Sequence, residues 1–179
     1  MIGLVVAPCI VFMQFFAPSV GVLQAAQVLL EHESEMASVV KAARSKGITI
    51  AHCRVAFTES EIATTFGVDS PQAAFHPAVA PEDGDIVVRK HRVGPFFNAM
   101  QDVHAIFKER RIDTLLLGGV STGGAVAATV VQAADLDYRL FVVEDSCADT
   151  SKETHEFLMK FFAKRATVIK SDELMTLAQ

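Results

Sequence analysis

The sequence has no concentrated positive charge. Its formal net charge is −5, and its basic residues are scattered except for a short cluster at Lys108, Arg110 and Arg111. Proteins that bind nucleic acid present a basic patch or stripe to the phosphate backbone. We therefore predict no nucleic-acid partner.

Cysteine is also scarce. The three cysteines, Cys9, Cys53 and Cys147, are far apart and form no C-x-x-C pair, and His52 has only Cys53 beside it. Such a set argues against a disulfide framework and against a zinc site. We therefore predict no metal, no cofactor and a reducing, cytoplasmic location, with Cys53 and Cys147 packed as small apolar side chains.

The apolar segment from Ile2 to Val22 lacks the basic residues that open a signal peptide. It contains Pro8 and Pro18 and is interrupted by Gln14, which disfavours a membrane-spanning helix. We predict a buried first strand at Gly3–Val6, followed by an apolar loop, and no membrane association.

The composition permits a substantial core. Hydrophobic residues make up 51% of the 179 positions and charged residues 21%, which is far from the composition of a disordered chain. Chains of this length usually form one compact unit, and no internal repeat or linker is visible. We predict a single domain over residues 1–179.

Short apolar segments alternate with segments of helical periodicity. Helices are predicted at Val22–Ala43, which Gly47 follows, and at Ala125–Ala134, which is so rich in Ala and Val that it should be buried on nearly all sides. Right-handed crossovers then give a three-layer α/β/α sandwich with a central, mostly parallel six-stranded sheet of Rossmann-like type. The predicted strands are Gly3–Val6, Ile48–Val55, Ile86–Arg89, Leu115–Leu117, Leu140–Val143 and Val168–Ile169.

Three further segments carry local signals. Thr150 and Glu153 form a capping box that predicts the start of a helix, and Ser171 is predicted to cap the last helix. The polar stretch Thr58–Asp85 predicts a long excursion, and excursions of that length usually serve a site.

A short motif follows the fourth predicted strand. Gly119–Gly123 matches the G-x-S-x-G nucleophile elbow, with Ser121 as the nucleophile. Asp145 or Asp149 and then His155 follow in the order of an α/β-hydrolase. The pattern is short and degenerate, and His155 falls inside a capped helix, so a turn built by Gly and Ser is the preferred interpretation.

Longer stretches are more specific. DTLLLGGVSTGGAV at Asp113–Val126, AADLDYR at Ala133–Arg139 and VVEDSCAD at Val142–Asp149, together with His76–Pro81 and Gly84–Phe96, resemble the isochorismatase-like (cysteine hydrolase) family. This family includes nicotinamidases and N-carbamoyl amide hydrolases. The resemblance extends from about residue 48 to residue 169 and implies the predicted fold.

The resemblance implies three catalytic positions: an aspartate base after the first strand, a lysine after the third strand and a cysteine nucleophile at the start of the buried helix. Carried over by position, Lys90 is retained, but Ala125 stands at the cysteine position. The aspartate position falls on Ala7, or on Phe12 if Met13–Gln14 is matched to the family's usual Met-Gln.

Neither register restores the carboxylate, because no Asp or Glu occurs before Glu31. A methyl group cannot form a thioester, so the resemblance implies hydrolase ancestry with the usual cysteine mechanism lost. Family members that lack the cysteine and act on vinyl ethers by acid catalysis keep the aspartate.

Lys90 is the retained group, and we predict that it lines a pocket. A lysine buried without its carboxylate either loses its proton or binds an anion, and helix N-termini also attract anions. We therefore predict a small anionic ligand between Lys90 and the Gly118–Gly124 turn. The residues expected to line this pocket are Phe96, Val120, Ser121, Thr122 and Gly124.

Two alternatives stay open. One is an active hydrolase of a small amide, ester or vinyl ether with a relocated group, for which Ser121, Thr122 and Cys9 are candidates. The other is a structural oligomer subunit without activity. The apolar cluster within Phe12–Phe16 suits the core or a subunit interface, and the family resemblance implies a homo-oligomer.

Overall fold

The computed structural model describes residues 7–14, 33–56, 74–97 and 101–177. These residues form a six-stranded sheet with the order β3-β2-β1-β4-β5-β6, in which every neighbouring pair is parallel. The strands are β1 (Ala7–Gln14), β2 (Thr49–Val55), β3 (Ile86–Lys90), β4 (Ile112–Val120), β5 (Arg139–Ala148) and β6 (Thr167–Ile169).

Helices cover both faces of this sheet. Val103, Val130 and Phe162 bring α2, α3 and α4 into one buried cluster, whereas Met36 and Leu174 bring α1 and α5 into a second cluster on the other face. The predicted α/β/α sandwich is therefore confirmed. The helices are α1 (Glu33–Ser45), α2 (Val103–Glu109), α3 (Ala127–Asp135), α4 (Lys152–Phe162) and α5 (Ser171–Leu177), with a 3-10 turn at Pro77–Val79 and a π-turn at Thr122–Val126.

Strand β4 lies at the centre of the sheet. Leu115 and Leu117 belong to the first cluster, and Leu116 and Val120 belong to the second. Apolar residues on both faces are typical of a parallel strand that helices cover on both sides. Because the chain fills one side of β1 before it crosses to β4, the strand order reverses between these two strands, and a ligand crevice is expected at their carboxyl ends.

The end of α1 agrees with the sequence signal. Gly47 has a φ of +67°, the left-handed conformation that glycine adopts without steric cost. The N–H of Gly47 donates to the Arg44 carbonyl at 3.0 Å, and the N–H of Ile48 donates to the Ala43 carbonyl at 3.0 Å. These bonds close the helix and direct the chain into β2.

Several predicted boundaries are wrong. Strand β4 continues through Gly118 and Gly119, which were predicted to form a turn, and β5 continues to Ala148. The helix predicted to begin at Ala125 begins at Ala127, after the π-turn. It is also less covered than expected, because Val131 is 39% exposed.

The cap of α4 is Ser151 and not Thr150. The Ser151 hydroxyl accepts a hydrogen bond from the Thr154 N–H at 3.1 Å. Helix α5 begins at Ser171, whose N–H donates to the Asp145 carboxylate at 2.9 Å. Asp145 therefore supplies this cap from β5.

Part of the predicted organisation lies outside the described residues, namely the first strand at Gly3–Val6, the beginning of the Val22–Ala43 helix and most of the Thr58–Asp85 excursion. Strand β1 instead occupies Ala7–Gln14, part of which was predicted to be a loop. Within the described part of the chain, no helix combines the length and apolar character needed to cross a bilayer.

Candidate functional site

Lys90 is the last residue of β3, and its side chain is completely buried. It alternates in phase with Ile86 and Val88, which belong to the cluster beneath α2, α3 and α4. Its Nζ donates to the Val93 carbonyl at 2.6 Å. Burial lowers the pKa of Lys90 to about 8, against an opposing effect of Cys53. The amine therefore stays mainly protonated at pH 7.

Ala125 lies in the π-turn between β4 and α3 and is completely buried. It belongs to the same buried cluster as Cys53 and Phe96. The turn closes on the Ser121 carbonyl, which accepts from the N–H groups of Gly124 and Val126 at 3.2 Å each. A methyl group thus occupies the position at which the family resemblance places a thiol.

The predicted ligand-lining residues of this turn differ in what they can offer. Val120 and Thr122 are buried, and the peptide bond between Val120 and Ser121 is cis. The N–H of Gly123 donates to the Asp149 carboxylate at 2.7 Å, and that of Gly124 is used by the turn itself. Ser121 is half-buried, and its hydroxyl has no hydrogen-bond partner within the described ranges. Of these side chains, the Ser121 hydroxyl is therefore the readiest to meet a ligand.

The nucleophile-elbow interpretation is wrong in its pairing. Thr122 Oγ1, and not the Ser121 hydroxyl, lies 3.0 Å from His155 Nδ1. The Asp145 carboxylate binds the N–H and hydroxyl of Ser171, and the Asp149 carboxylate binds the turn backbone. Neither carboxylate orients the imidazole, so the Ser-Asp-His arrangement is not assembled.

The two candidate aspartate positions lie at different heights in β1. Ala7 begins the strand and pairs with Ile112, the first residue of β4, so it lies at the amino edge of the sheet. The expectation that Ala7 follows the first strand is therefore wrong. Phe12 pairs with His52 and Gly118, nearer the carboxyl edge. The side chains of β1, including those of Phe12 and Cys9, lie outside the described residues.

The other two cysteines are confirmed as small buried side chains. Cys53 and Cys147 are 0% and 2% exposed. Burial raises the pKa of both thiols to about 12, although Lys90 opposes the shift at Cys53. Neither thiol is an effective nucleophile near neutral pH, because the thiolate is the reactive form.

The sequence pointed to the segment after Lys90 and to Phe96, but it gave no indication of two glutamines that contact this part of the chain. Gln132 accepts a hydrogen bond from the Phe96 N–H, and Gln101 is hydrogen-bonded to the backbone of β3. The available signal for Gln132 was a single amide in a helix rich in Ala and Val. No local pattern identifies Gln101.

A cavity of about 410 Å³ lies away from this region, at the amino ends of β4 and β5. It therefore does not coincide with the carboxyl ends of the strands, where Lys90 and the π-turn lie. Its lining residues are Asp113, Ala134, Asp137, Tyr138, Arg139 and Arg165.

The sandwich, the buried lysine at the end of β3 and the turn before α3 define an α/β protein of the fold class that the sequence predicted. Residues 24–173 match the family model described as Isochorismatase domain, and the chain belongs to this family.

Two curated relatives illustrate the similarity. The phenazine biosynthesis protein PhzD of Pseudomonas fluorescens is 39% identical over 101 residues, which are 55% of this chain and 47% of the relative. The maleamate amidohydrolase of Pseudomonas putida is 33% identical over 87 residues, which are 49% and 40% of the two chains. The chain thus spans less than half the length of these two relatives.

Solved structures share the fold. An isochorismatase-like hydrolase from Alkaliphilus metalliredigens has a TM-score of 0.83 at 21% identity, with 97% of each chain covered. The N-carbamoylsarcosine amidase of Thermoplasma acidophilum has a TM-score of 0.74 at 21% identity, with 93% of this chain and 96% of that chain covered. At these identities the likeness establishes the architecture alone.

Proposed function

We propose that this Isochorismatase-family chain binds a small carboxylate-bearing molecule at Lys90 and does not use a cysteine-dependent acyl-enzyme. The observation that carries the proposal is the completely buried Lys90 amine, on the sheet face that the Ala125 turn and α3 cover. A cation shielded from water at the carboxyl end of a strand is a natural anion site.

The protonation state of Lys90 favours this role. A pKa of about 8 keeps the amine mainly cationic at pH 7 while burial makes that charge costly. A carboxylate near the ammonium would offset the cost, since opposite charges interact more strongly away from water. A bound carboxylate should therefore raise the pKa of Lys90 towards its ordinary value.

The relatives support the choice of a carboxylate. Maleamate and N-carbamoylsarcosine, which two of the similar proteins are named for, both carry this group. By the family resemblance, Lys90 is the cation expected to meet this group. A small organic carboxylate is therefore the proposed ligand class.

The methyl group at Ala125 limits the proposed chemistry. The Ala125 methyl group has no electron pair with which to attack a carbonyl carbon, and the pKa values of Cys53 and Cys147 are both about 12. An acyl-enzyme on any of these three positions is not expected near neutral pH. This is why binding, and not amide cleavage through a thioester, is the leading proposal.

A second candidate function is hydrolysis of a small amide, ester or vinyl ether through a relocated group. The observation that favours it is the 3.0 Å contact between Thr122 Oγ1 and His155 Nδ1, because a hydroxyl beside an imidazole is the usual arrangement of an activated nucleophile. Neither the Asp145 nor the Asp149 carboxylate binds this imidazole, so the pair lacks the orienting acid of a complete catalytic triad, and the second candidate ranks below binding at Lys90.

Titration calorimetry with maleamate at pH 7 tests the leading proposal. The wild-type protein should bind, and Lys90→Met should weaken binding at least about tenfold, since it removes the cation and keeps the volume. Lys160→Met removes an exposed lysine of α4 and is the matched control. Equal binding by wild type and Lys90→Met would refute the site.

Ammonia release from maleamate in the same samples tests the second candidate. We expect none above background from the wild-type protein. Turnover that disappears in Thr122→Val would favour the relocated nucleophile instead.

The homo-oligomer and the cytoplasmic location stay predictions. Light scattering on the purified protein tests the oligomeric state.

A further inference from the structure

The segment that follows Lys90, residues His91–Phe97, is called the Lys90 loop here. Its Val93 carbonyl accepts the hydrogen bond from Lys90 Nζ at 2.6 Å. At its beginning, His91 Nδ1 is hydrogen-bonded to the Ala56 carbonyl after β2. The position of the buried amine therefore depends on the course of this loop.

Gln132 of α3 contacts the middle of the loop. Its Oε1 accepts a hydrogen bond from the Phe96 N–H at 3.2 Å. Helix α3 follows the π-turn that contains Ala125. One side chain thus joins the helix behind the Ala125 position to the loop that holds Lys90.

Gly94 makes room for this amide. A Cβ at Gly94 would lie 2.3 Å from Gln132 Oε1 and 2.4 Å from Nε2, distances that real atoms do not tolerate. Gly94 is not among the described glycines with positive φ. The amide of Gln132 is therefore the obstacle to a side chain here, and it rests directly on the loop backbone.

Gln101 holds the chain beyond the loop. Among the described strands, β3 is the last on its side of the sheet. The Gln101 amide accepts from the Arg89 N–H at 2.7 Å and donates to the Val87 carbonyl at 3.2 Å, so it replaces the peptide group of a neighbouring strand. Hydrogen bonds therefore hold the chain after Lys90 at two points, at Phe96 within the loop and at Gln101 beyond it.

We propose that Gln132 is a positioning residue of the Lys90 site: by resting on Gly94 and binding Phe96, it holds the Val93 carbonyl against the Lys90 amine. The inference rests on the proposed function, because the amine is held for the carboxylate. It assigns to α3 a role in the site that does not require a thiol at Ala125.

The first test follows the Lys90 amine without any ligand. The rate of reductive methylation of Lys90, measured by peptide mass spectrometry, should rise at least threefold in Gln132→Met, which keeps the length and removes the acceptor. Gln132→Glu retains an acceptor for the Phe96 N–H and should restore the wild-type rate. Asp135→Ala, an exposed change on the same helix, is the matched control and should leave the rate unchanged.

The second test uses Gly94. Gly94→Ala should displace the Gln132 amide and accelerate methylation by a similar factor. In the Gln132→Ala background the same change should have less than a twofold effect, because the obstructing amide is gone. Equal effects of Gly94→Ala in both backgrounds would overturn the assigned contact.

Binding of maleamate separates this inference from the proposed function. If both hold, Gln132→Met weakens binding severalfold and Gln132→Glu does so less. If the wild-type protein does not bind maleamate but methylation responds as described, the ligand is wrong and the positioning role stands. Unchanged methylation in Gln132→Met overturns the positioning role, whatever the protein binds.

Discussion

Thr122 Oγ1 lies 3.0 Å from His155 Nδ1, and this contact joins the buried turn after β4 to helix α4. The hydroxyl is completely buried, so its loss leaves a polar imidazole atom without this partner. We expect Thr122→Val to lower the free energy of unfolding by about 1 kcal/mol, as measured by urea denaturation.

A double-mutant cycle shows whether that loss belongs to the contact. Thr122→Val and His155→Ala should show a coupling energy of about 1 kcal/mol, because each removes one partner of the same bond. Strictly additive effects would mean that the hydroxyl and the imidazole do not interact.

Asp85, just before β3, connects this part of the chain to α1 and β2. Its Oδ2 lies 2.6 Å from Arg44 Nη2 of α1, 2.9 Å from His52 Nε2 of β2 and 2.9 Å from the Glu82 N–H. Burial alone would raise the pKa of Asp85, but the bonds from Glu82, Arg44 and His52 together lower it. The charged carboxylate is therefore the form that the fold stabilises.

Removal of this charge should destabilise the fold at neutral pH. We expect Asp85→Asn to lower the free energy of unfolding by about 2 kcal/mol at pH 7. Glu82→Gln is the control, since the Glu82 side chain is 67% exposed in its ion pair with Arg44, and its effect should be smaller. A larger effect of Glu82→Gln would contradict this assignment.

Acid should remove the same stabilisation. The pKa of Asp85 is below 3.8, so its contribution is present above that pH and is lost as pH falls towards the folded pKa. Burial lowers the pKa of His52, although Asp85 opposes the shift, so stability also falls below pH 6.5 as the unfolded state takes up a proton first. In urea titrations, the difference in stability between wild type and Asp85→Asn should become smaller as the pH falls below 3.8.

The sequence predicted the layers better than the boundaries. Continuous apolar segments such as that around Leu116 indicate parallel strands buried on both faces, and the sheet has that form. The predicted end of β4 at Leu117 was wrong because glycine, which follows it, normally interrupts a strand. Gly118 lies inside β4, where β5 comes so close that a Cβ would lie 3.2 Å from the Ser146 carbonyl oxygen. Glycine here therefore permits the close approach of two strands. A close approach of that kind has no local signal.

In the candidate site, too, some residues could be predicted from the sequence and some contacts could not. Lys90 was found because the residues around it resemble a family, whereas the contact of Gln132 with Gly94 joins positions far apart in sequence. The pairing of His155 with Thr122 in place of Ser121 depends on how the π-turn directs two adjacent hydroxyl side chains. Residue type and spacing identify both hydroxyls as candidate partners of His155, but only the folded backbone shows which of the two adjacent residues meets it.

Asp145 caps helix α5 from the neighbouring strand. Its carboxylate accepts from the Ser171 N–H at 2.9 Å and from the Ser171 hydroxyl at 2.7 Å. Asp145→Ala should lower the free energy of unfolding by about 1 to 2 kcal/mol, because it leaves the N–H of the first helical turn without its acceptor. Asp145→Asn keeps one acceptor oxygen and should cost less in the same chemical denaturation; an equal cost would indicate that the cap is not the cause.

The stability of the protein in alkaline solution should report directly on Lys90. Its pKa is about 8 when folded and 10.5 in its ordinary state, so between these values the unfolded chain binds the extra proton and the contribution of Lys90 to stability rises with pH. Relative to Lys90→Met, which cannot titrate, the wild-type free energy of unfolding should increase by about 3 kcal/mol at most from pH 7 to pH 10.5. Urea denaturation of both proteins across this range gives the difference. Saturating maleamate should delay the rise to higher pH, because a bound carboxylate holds the proton on the amine. A difference that is flat or falls with pH would mean that the amine is not buried in its charged form.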